Sequence, residues 1–112
     1  MLNIDDSQNI KLTRGDSASF KLTIKQGTST YDYSSDLAQF TVKRNTVTEQ
    51  IVFQKTFHNG SIDINPSDTK DLNYKDLVYD VQIITPLGKV YTVIGPCIFE
   101  IMEEVNFNVN YS

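Results

Sequence analysis

The stretch Ser17-Ala18-Ser19-Phe20-Lys21-Leu22-Thr23-Ile24-Lys25 decides the fold class of this chain. Its apolar side chains fall at every second position, and the positions between them are polar. A β-strand points successive side chains to opposite faces, so the alternation predicts a strand with one buried and one solvated face. An amphipathic helix would instead group its apolar residues three and four positions apart.

The same alternation recurs on both sides of that stretch. It covers residues 9–13, 38–43, 61–65, 77–83 and 90–103. Turn-forming residues separate the runs: Arg14-Gly15-Asp16, Gln26-Gly27-Thr28-Ser29, His58-Asn59-Gly60 and Thr85-Pro86-Leu87-Gly88-Lys89. Short strands punctuated in this way predict an all-β fold, and we expect a single antiparallel β-sandwich.

Two prolines mark departures from regular strand. Gly95-Pro96 interrupts the longest run, and because proline cannot donate to a ladder, we expect a bulge or kink there. Asn65-Pro66-Ser67-Asp68 offers an N-cap residue, a proline at the first helical position and an acid in the first turn. This predicts one short helical turn within residues 66–72, crossing between sheets.

Tyr79 enters a strand just after that crossover, an arrangement similar to the tyrosine corner of immunoglobulin-like sandwiches. Its spacing from the preceding acid differs by one residue from that motif, and the chain lacks the inter-sheet cysteine pair and the core tryptophan. A tyrosine corner and an ordinary core aromatic are therefore both open for Tyr79.

Size and charge exclude several classes of partner. The chain has 112 residues with 14 acidic and 10 basic side chains, a net charge of -4 and a pI of about 4.7. This length suits one domain, residues 1–112, with a core over about 8–105. The acidic balance argues against nucleic acid, and no stretch approaches the ~20 apolar residues that span a membrane.

Cysteine use and the first residues suggest where the protein folds. A single cysteine forms no intramolecular disulfide, and Cys97 lies in an apolar run where a free cysteine usually packs as a small hydrophobe. Met1 to Asp6 have neither the basic start nor the apolar stretch of a signal peptide. We expect folding in a cytoplasm.

The residues that catalysis needs do not converge in this sequence. His58 is the one histidine and falls in a predicted turn without an orienting partner. Nucleophile elbows, phosphate-binding glycine loops and metal-binding Cys/His spacings are absent from the sequence. The prediction is a protein that is not an enzyme and binds no cofactor.

Acidic clusters and an Arg-Gly-Asp tripeptide are the remaining ligand-like motifs. None of the clusters has the spacing of a calcium loop, so we expect structural roles for them: Asp5-Asp6, Asp32 with Asp36, and Asp63 with Asn65 and Asp68. Arg14-Gly15-Asp16 matches an integrin-binding tripeptide in letters, but it fills the gap between two alternating runs. A tight turn accounts for it.

Lys55 interrupts an apolar row, since Ile51, Phe53 and Phe57 share its face in a regular strand. We expect its charged end to reach solvent at a sheet margin, or a bulge to shift the register; a functional lysine is the alternative.

The C-terminal segment 106–112 alternates asparagine with large apolar side chains and carries no charge. It is either a last strand packed on the core or an exposed edge that pairs with a neighbour by strand addition. In the second case Phe107, Val109 and Tyr111 are the candidate interface residues.

An ordered series of these segments carries a family resemblance. It consists of Ile10-Lys11-Leu12-Thr13-Arg14-Gly15-Asp16-Ser17, Phe40-Thr41-Val42-Lys43, Ile51-Val52-Phe53-Gln54-Lys55, Ile62-Asp63-Ile64-Asn65-Pro66-Ser67-Asp68-Thr69, Tyr79-Asp80-Val81-Gln82-Ile83 and Val90-Tyr91-Thr92-Val93-Ile94. The series resembles small β-sandwich proteins encoded in tail and baseplate regions of phages and prophages of Gram-positive bacteria. It is similar in particular to the N-terminal module of upper baseplate proteins, which docks a receptor-binding apparatus onto the tail.

The resemblance implies an immunoglobulin-like sandwich that serves as a virion structural or adaptor part, with no catalytic residues. Its implied partners are other tail or baseplate proteins or further copies of itself, and its implied location is a virion assembled in the bacterial cytoplasm. Upper baseplate proteins continue into a fibre-like extension, whereas this sequence stops at Ser112, so we expect a stand-alone version.

A ligand-binding module is the alternative function. Sugar-binding faces stack planar aromatic rings, and Tyr31, Tyr33 and Tyr91 are the tyrosines that such a face would expose. The sequence contains no tryptophan, and this weakens the hypothesis of a sugar-binding module.

Overall fold

The computed structural model describes residues 3–4, 8–72 and 76–103, and strands dominate them. The all-β prediction is confirmed. No helix in these ranges is long and apolar enough to cross a membrane. The elements are β1 Asn3–Ile4, β2 Ile10–Thr13, β3 Ala18–Lys21, β4 Ile24–Gln26, β5 Ser29–Tyr31, β6 Leu37–Lys43, β7 Ile51–Thr56, β8 Ser61–Ile64, α1 Pro66–Thr69, β9 Asp76–Ile84 and β10 Val90–Met102.

Three sheets organise the strands. The largest has six strands in the order β1-β2-β10-β9-β6-β7, while β3 pairs with β8 and β4 pairs with β5. All pairings are antiparallel except that of β2 with β10, which runs parallel from Ile10 opposite Phe99 to Thr13 opposite Met102. The prediction that all strands pair antiparallel is therefore wrong. Because no hairpin joins β2 to β10, no turn forces these two strands into opposite directions.

An aromatic cluster joins the small β3–β8 sheet to the six-stranded sheet. The ring of Phe20 on β3 lies 5.5 Å from that of Phe40 and 6.4 Å from that of Tyr79, and Phe40 stacks on Tyr79 at 4.9 Å. Residues buried around this cluster occupy the predicted alternating positions: Ile10, Leu12, Phe20, Leu22, Ala38, Phe40, Val42, Ile62, Ile64, Leu77, Tyr79, Val81 and Ile83. Burial of these side chains supplies the main driving force for folding.

The stretch from Ser17 to Lys25 is two strands rather than one. Pairing of β3 with β8 ends where Lys21 lies opposite Ser61. The amide of Leu22 then donates to the carbonyl of Gly60 at 2.9 Å, and beyond Thr23 the chain pairs with β5 instead. The alternation identified the strand face correctly but did not reveal the change of partner sheet.

Tyr79 is a core aromatic, and within the described residues its hydroxyl bonds to a partner far from it in sequence. Its side chain is 1% exposed, and its hydroxyl donates to the carbonyl of Gln8 at 2.5 Å. In a tyrosine corner the acceptor lies a few residues upstream of the tyrosine, but Gln8 is 71 positions away. The bond instead ties the residues before β2 to the middle of β9.

The predicted irregularity at Gly95-Pro96 is confirmed. The register of β10 against β9 shifts between Ile94 and Cys97, and it shifts a second time between Thr92 and Ile94. Cys97 is half-buried and packs against the core at its margin, with its thiol donating to the carbonyl of Gly95 at 3.1 Å. It behaves as a small hydrophobe at the edge of the core.

The predicted turn at Arg14-Gly15 and the predicted helical turn are both confirmed, and they contact each other. The amide of Gly15 donates to the hydroxyl of the fully buried Thr69 at 2.8 Å. The guanidinium of Arg14 donates to the carbonyl of Leu72 at 3.0 Å. The Arg-Gly-Asp tripeptide is thus a turn docked against α1.

Lys55 lies on β7, an edge strand of the six-stranded sheet, as the sheet-margin prediction required. Its ammonium group contacts the carboxylate of Asp68 on α1 at 2.8 Å. The same carboxylate accepts the amide of Asn65 at 2.7 Å, so Asp68 both starts the helical turn and neutralises the lysine.

Candidate binding surface

The predicted interface residues Phe107, Val109 and Tyr111 lie outside the described residues, so the role of segment 106–112 stays a prediction. Asp5 and Asp6 lie outside them as well. His58 is exposed in a tight turn and exchanges backbone hydrogen bonds with Ser61, as a turn histidine would.

Each described acidic residue of the candidate metal clusters bonds to a local partner. Asp32 accepts the amide of Ser34 at 2.9 Å, Asp36 accepts the hydroxyl of Tyr31 at 2.6 Å, and Asp63 accepts the hydroxyl of Ser19 at 2.7 Å. Within residues 8–72 and 76–103, no group of three or more histidine, cysteine, aspartate or glutamate side chains could hold a metal ion. These local bonds agree with structural roles.

Exposed apolar side chains gather where β6 begins and the β9–β10 hairpin turns. Leu37 lies opposite Ile84, which in turn lies opposite Val90, so the three form a row across adjacent strands. Leu37 is 43%, Leu87 87%, Val90 54% and Tyr91 50% exposed. We call Leu37, Ile84, Leu87, Val90 and Tyr91 the hairpin end.

Tyr91 of the hairpin end also lines a largely apolar groove of about 380 Å³, which we call the edge groove. Tyr91 lies opposite the buried Ile83, on the core side of the sheet, but the core does not extend far enough to cover it. The β4–β5 hairpin supplies the facing wall. The apolar lining consists of Ile24, Tyr31, Ile83, Tyr91 and Val93, and Lys25, Gln26 and Thr85 supply the polar part.

The edge of β10 beside this groove is open in the described part of the chain. β9 pairs along one side of β10, whereas β2 covers the other side only from Phe99 to Met102. No described strand pairs with that side of residues 90–94. A cavity of about 250 Å³ lies between Val93 and Ile94 on one side and residues 22–25 on the other. Backbone groups of residues 90–94 are therefore accessible to an added strand.

A second, more polar cleft of about 440 Å³ adjoins Tyr31 on its other side. The tyrosine hydroxyls there are already bonded, Tyr31 to Asp36 and Tyr33 to the carbonyl of Leu22, each at 2.6 Å. The hydrogen bond to Asp36 raises the pKa of Tyr31, and burial raises the pKa of Tyr33. Both phenols stay protonated near neutral pH and act as donors.

Two of the three tyrosines predicted to be exposed are not. Tyr31 and Tyr33 are half-buried and pack against the core, because each hydroxyl finds an acceptor within its own loop or the neighbouring one. Tyr91 is half exposed and contributes to the hairpin end. The three side chains therefore do not form a flat aromatic face.

Sequence reasoning missed Leu37, Ile84 and Val90 as a surface feature. A signal was present: each is apolar although it lies on the solvent-facing phase of its strand, next to Ala38, Ile83 or Tyr91 on the core-facing phase. An apolar residue out of phase at the end of a strand marks a surface patch, but only the register reveals that three such residues align.

The hairpin end, the edge groove and the open edge of β10 meet at Tyr91 and the first residues of β10, although Leu37, Ile84 and Val90 lie on the opposite face of the sheet from the groove. Within the described residues this region combines exposed apolar side chains with accessible backbone. Comparison with known protein families, curated proteins and solved structures gives no match to this chain.

Proposed function

We propose that this chain is a non-enzymatic structural or adaptor component of a phage or prophage virion, associated with the tail or baseplate. The observation that carries the proposal is the hairpin end, where four large apolar side chains stay at least 43% exposed. Clustered exposed apolar side chains are typical of protein-binding surfaces. The assignment to a virion rests on the sequence resemblance to baseplate-region β-sandwich proteins.

An immunoglobulin-like sandwich is the finer fold that we propose, and the strand order supports it. The adjacent strands β6, β9 and β10 correspond in order to the C, F and G strands of that fold, and the β3–β8 pair corresponds to B and E. By this correspondence, residues 85–89 form the F–G loop, and the β4–β5 hairpin lies in the B–C connection. In variable domains the loops of that end bind ligand.

The proposed partners are other tail or baseplate proteins or further copies of this chain, and assembly takes place in the bacterial cytoplasm. The net charge of -4 makes nucleic acid an unfavourable partner. An apolar contact at the hairpin end would need no ion pair, because Leu37, Leu87, Val90 and Tyr91 are exposed and uncharged.

Purified particles of the phage or induced prophage that encodes the chain test the proposal. Quantitative mass spectrometry should find the protein in banded particles at a constant ratio to the major tail protein. Recovery only in the particle-free fraction of the lysate would overturn the virion assignment. Neighbouring genes that encode tail and lysis proteins would support it.

A carbohydrate- or other ligand-binding module is the second candidate, favoured by the polar cleft beside Tyr31. Its lining includes Asp32, Asp36 and Asn59, which supply hydrogen-bond acceptors and an amide. Soluble cell-wall glycan fragments should then change the tyrosine fluorescence, which no tryptophan obscures. Asp36→Asn should weaken that response, and a flat titration for the unaltered protein would exclude this candidate.

A further inference from the structure

We propose that the edge groove and the open edge of β10 receive residues 106–111 of a second copy of this chain as an added strand. The inference deepens the proposed function by naming a partner, and it rests on the proposed function only in assuming a role in assembly. Self-association can be measured without any phage component, so the two proposals can fail separately.

The chemistry of the segment matches that of the groove. Phe107, Val109 and Tyr111 alternate with three asparagines, so an extended conformation places all three apolar side chains on one face. The groove offers apolar lining from Ile24, Ile83 and Val93 and two aromatic rings. Since segment 106–112 contains no charged side chain, its insertion would bury no charge of its own, and Lys25 is the charged side chain of the groove lining.

The open backbone of residues 90–94 supplies the second half of the contact. Strand addition satisfies backbone donors and acceptors along a sheet edge, and the side-chain pockets beside that edge select the sequence. The bulge between Thr92 and Ile94 interrupts the edge, so a regular ladder is limited to residues 90–92. The groove contacts, above all those of Tyr91, must therefore provide most of the affinity.

The same chain cannot place Phe107 or Val109 of its own C-terminal segment beside Tyr91. Tyr91 lies roughly 30 Å along the sheet from Met102, at ~3.3 Å per residue with the two bulges allowed for. From Met102 the extended chain reaches at most ~18 Å to Phe107 and ~25 Å to Val109. Folding back along the edge of β10 is also blocked, because β2 already pairs with Phe99–Met102.

A second copy is thus the occupant that fits, and the contact is heterologous. The segment of one copy enters the groove of the next, whose own segment stays available. Such head-to-tail contacts close into rings or continue as filaments. Either product suits a repeating part of a tail or baseplate.

Complementation between two point variants of the full chain tests the inference. The donor-defective variant carries Phe107→Ser with Tyr111→Ser, and the acceptor-defective variant carries Tyr91→Arg. We expect the unaltered protein to self-associate in sedimentation velocity and each variant to be monomeric alone. Mixed together, the variants should form a dimer and nothing larger, because one intact segment meets one intact groove. Asn108→Ser, on the opposite face of the segment, is the matched control and should associate normally.

A synthetic peptide of residues 105–112 gives a second readout that does not depend on assembly. It should bind the donor-defective variant, and replacement of its phenylalanine by serine should raise the dissociation constant about 10- to 100-fold, the equivalent of one buried aromatic side chain. Within residues 90–92, the amides that point away from β9 should gain protection from hydrogen exchange.

Three results would overturn the inference: an unaltered protein that is monomeric up to its solubility limit, variants that fail to complement while the unaltered protein associates, or peptide protection away from residues 90–94. A protein that is monomeric in solution yet present in purified particles would refute strand addition and would leave the proposed virion role intact. A protein that self-associates and passes the complementation test but is missing from particles would support strand addition and refute the virion role.

Discussion

Asp68 is the residue on which the packing of α1 depends most visibly. One carboxylate accepts the amide that begins the helical turn and also contacts the ammonium group of Lys55, which is 23% exposed. A lysine within an otherwise apolar strand face is tolerated because its charge is neutralised at the sheet margin.

Asp68→Asn should lower the free energy of unfolding by about 1 kcal/mol, since the ion pair is only partly exposed and an amide is a weaker acceptor. Urea denaturation measures the change. Asp71→Asn, which removes the same charge from an exposed neighbouring site, should cost less than about 0.5 kcal/mol. Equal losses in the two variants would mean that the Lys55 contact contributes nothing.

Asp80 is half-buried on the outer face of β9, and burial raises the pKa of its carboxyl group while nearby Lys43 lowers it in part. A carboxyl with a raised pKa favours the protonated form in the folded chain. Its stabilising contribution is present below the ordinary pKa of 3.8 and is lost as the pH rises through the folded value.

Asp80→Asn should therefore raise the Tm at pH 7. The gain in the free energy of unfolding should stay below ~1 kcal/mol, because solvent screens the site. The difference from the unaltered protein should shrink as the pH approaches 4. Thermal unfolding from pH 3.5 to 7.5 measures it, with exposed Asp76→Asn as the control for net charge. A loss of stability at pH 7 would show that the attraction of Lys43 outweighs the cost of burial.

Among the elements, β2 depends on contacts far from it in sequence. It pairs with β10, and the hydroxyl of Tyr79 holds the carbonyl of Gln8 just before it. Gln8 has a φ of 67°, which is uncommon outside glycine and is maintained by its surroundings. The Tyr79–Gln8 bond thus fixes the point at which the chain enters the six-stranded sheet.

Tyr79→Phe removes that bond and keeps the ring in the core, so we expect a loss of about 1 kcal/mol and faster hydrogen exchange in β2. Tyr91→Phe, which alters an exposed phenol, is the control and should change neither quantity. Unchanged exchange in β2 with a normal Tm would contradict the role assigned to the bond.

Period-two alternation predicts most strands and core positions because it depends only on local geometry. Phe20, Phe40 and Tyr79 are buried where their phase requires. Alternation carries no information about which strands pair, so the break after Leu22 and the parallel β2–β10 pair could not be read from it. The hairpin end was not predicted for the same reason, because the row formed by Leu37, Ile84 and Val90 depends on how the neighbouring strands pair.

At the scale of the whole molecule, association competes with electrostatic repulsion. Each copy carries a net charge of -4, whereas the incoming segment is uncharged and the edge groove is largely apolar apart from Lys25. Salt screens repulsion between copies and leaves apolar burial intact. The charge therefore tunes assembly without taking part in the contact.

Self-association should strengthen as ionic strength rises from low to physiological values, and sedimentation at a series of salt concentrations measures it. Lys25→Ala, which removes the charged side chain from the edge groove, and Lys89→Ala in the adjacent turn should not reverse the trend, because the incoming segment carries no charge to pair with them. Dissociation on adding salt would indicate a charged interface instead.

Photo-cross-linking inside purified particles tests most directly that this chain is a virion part that docks through its hairpin end. Tyr91 is replaced by a photoreactive phenylalanine analogue, and a control places the analogue at exposed Asp63 on β8. The account predicts that the probe at position 91 forms adducts with a tail or baseplate protein or a second copy, and that the control forms few. Absence of the chain from particles, or adducts at position 63 but not at 91, would contradict it.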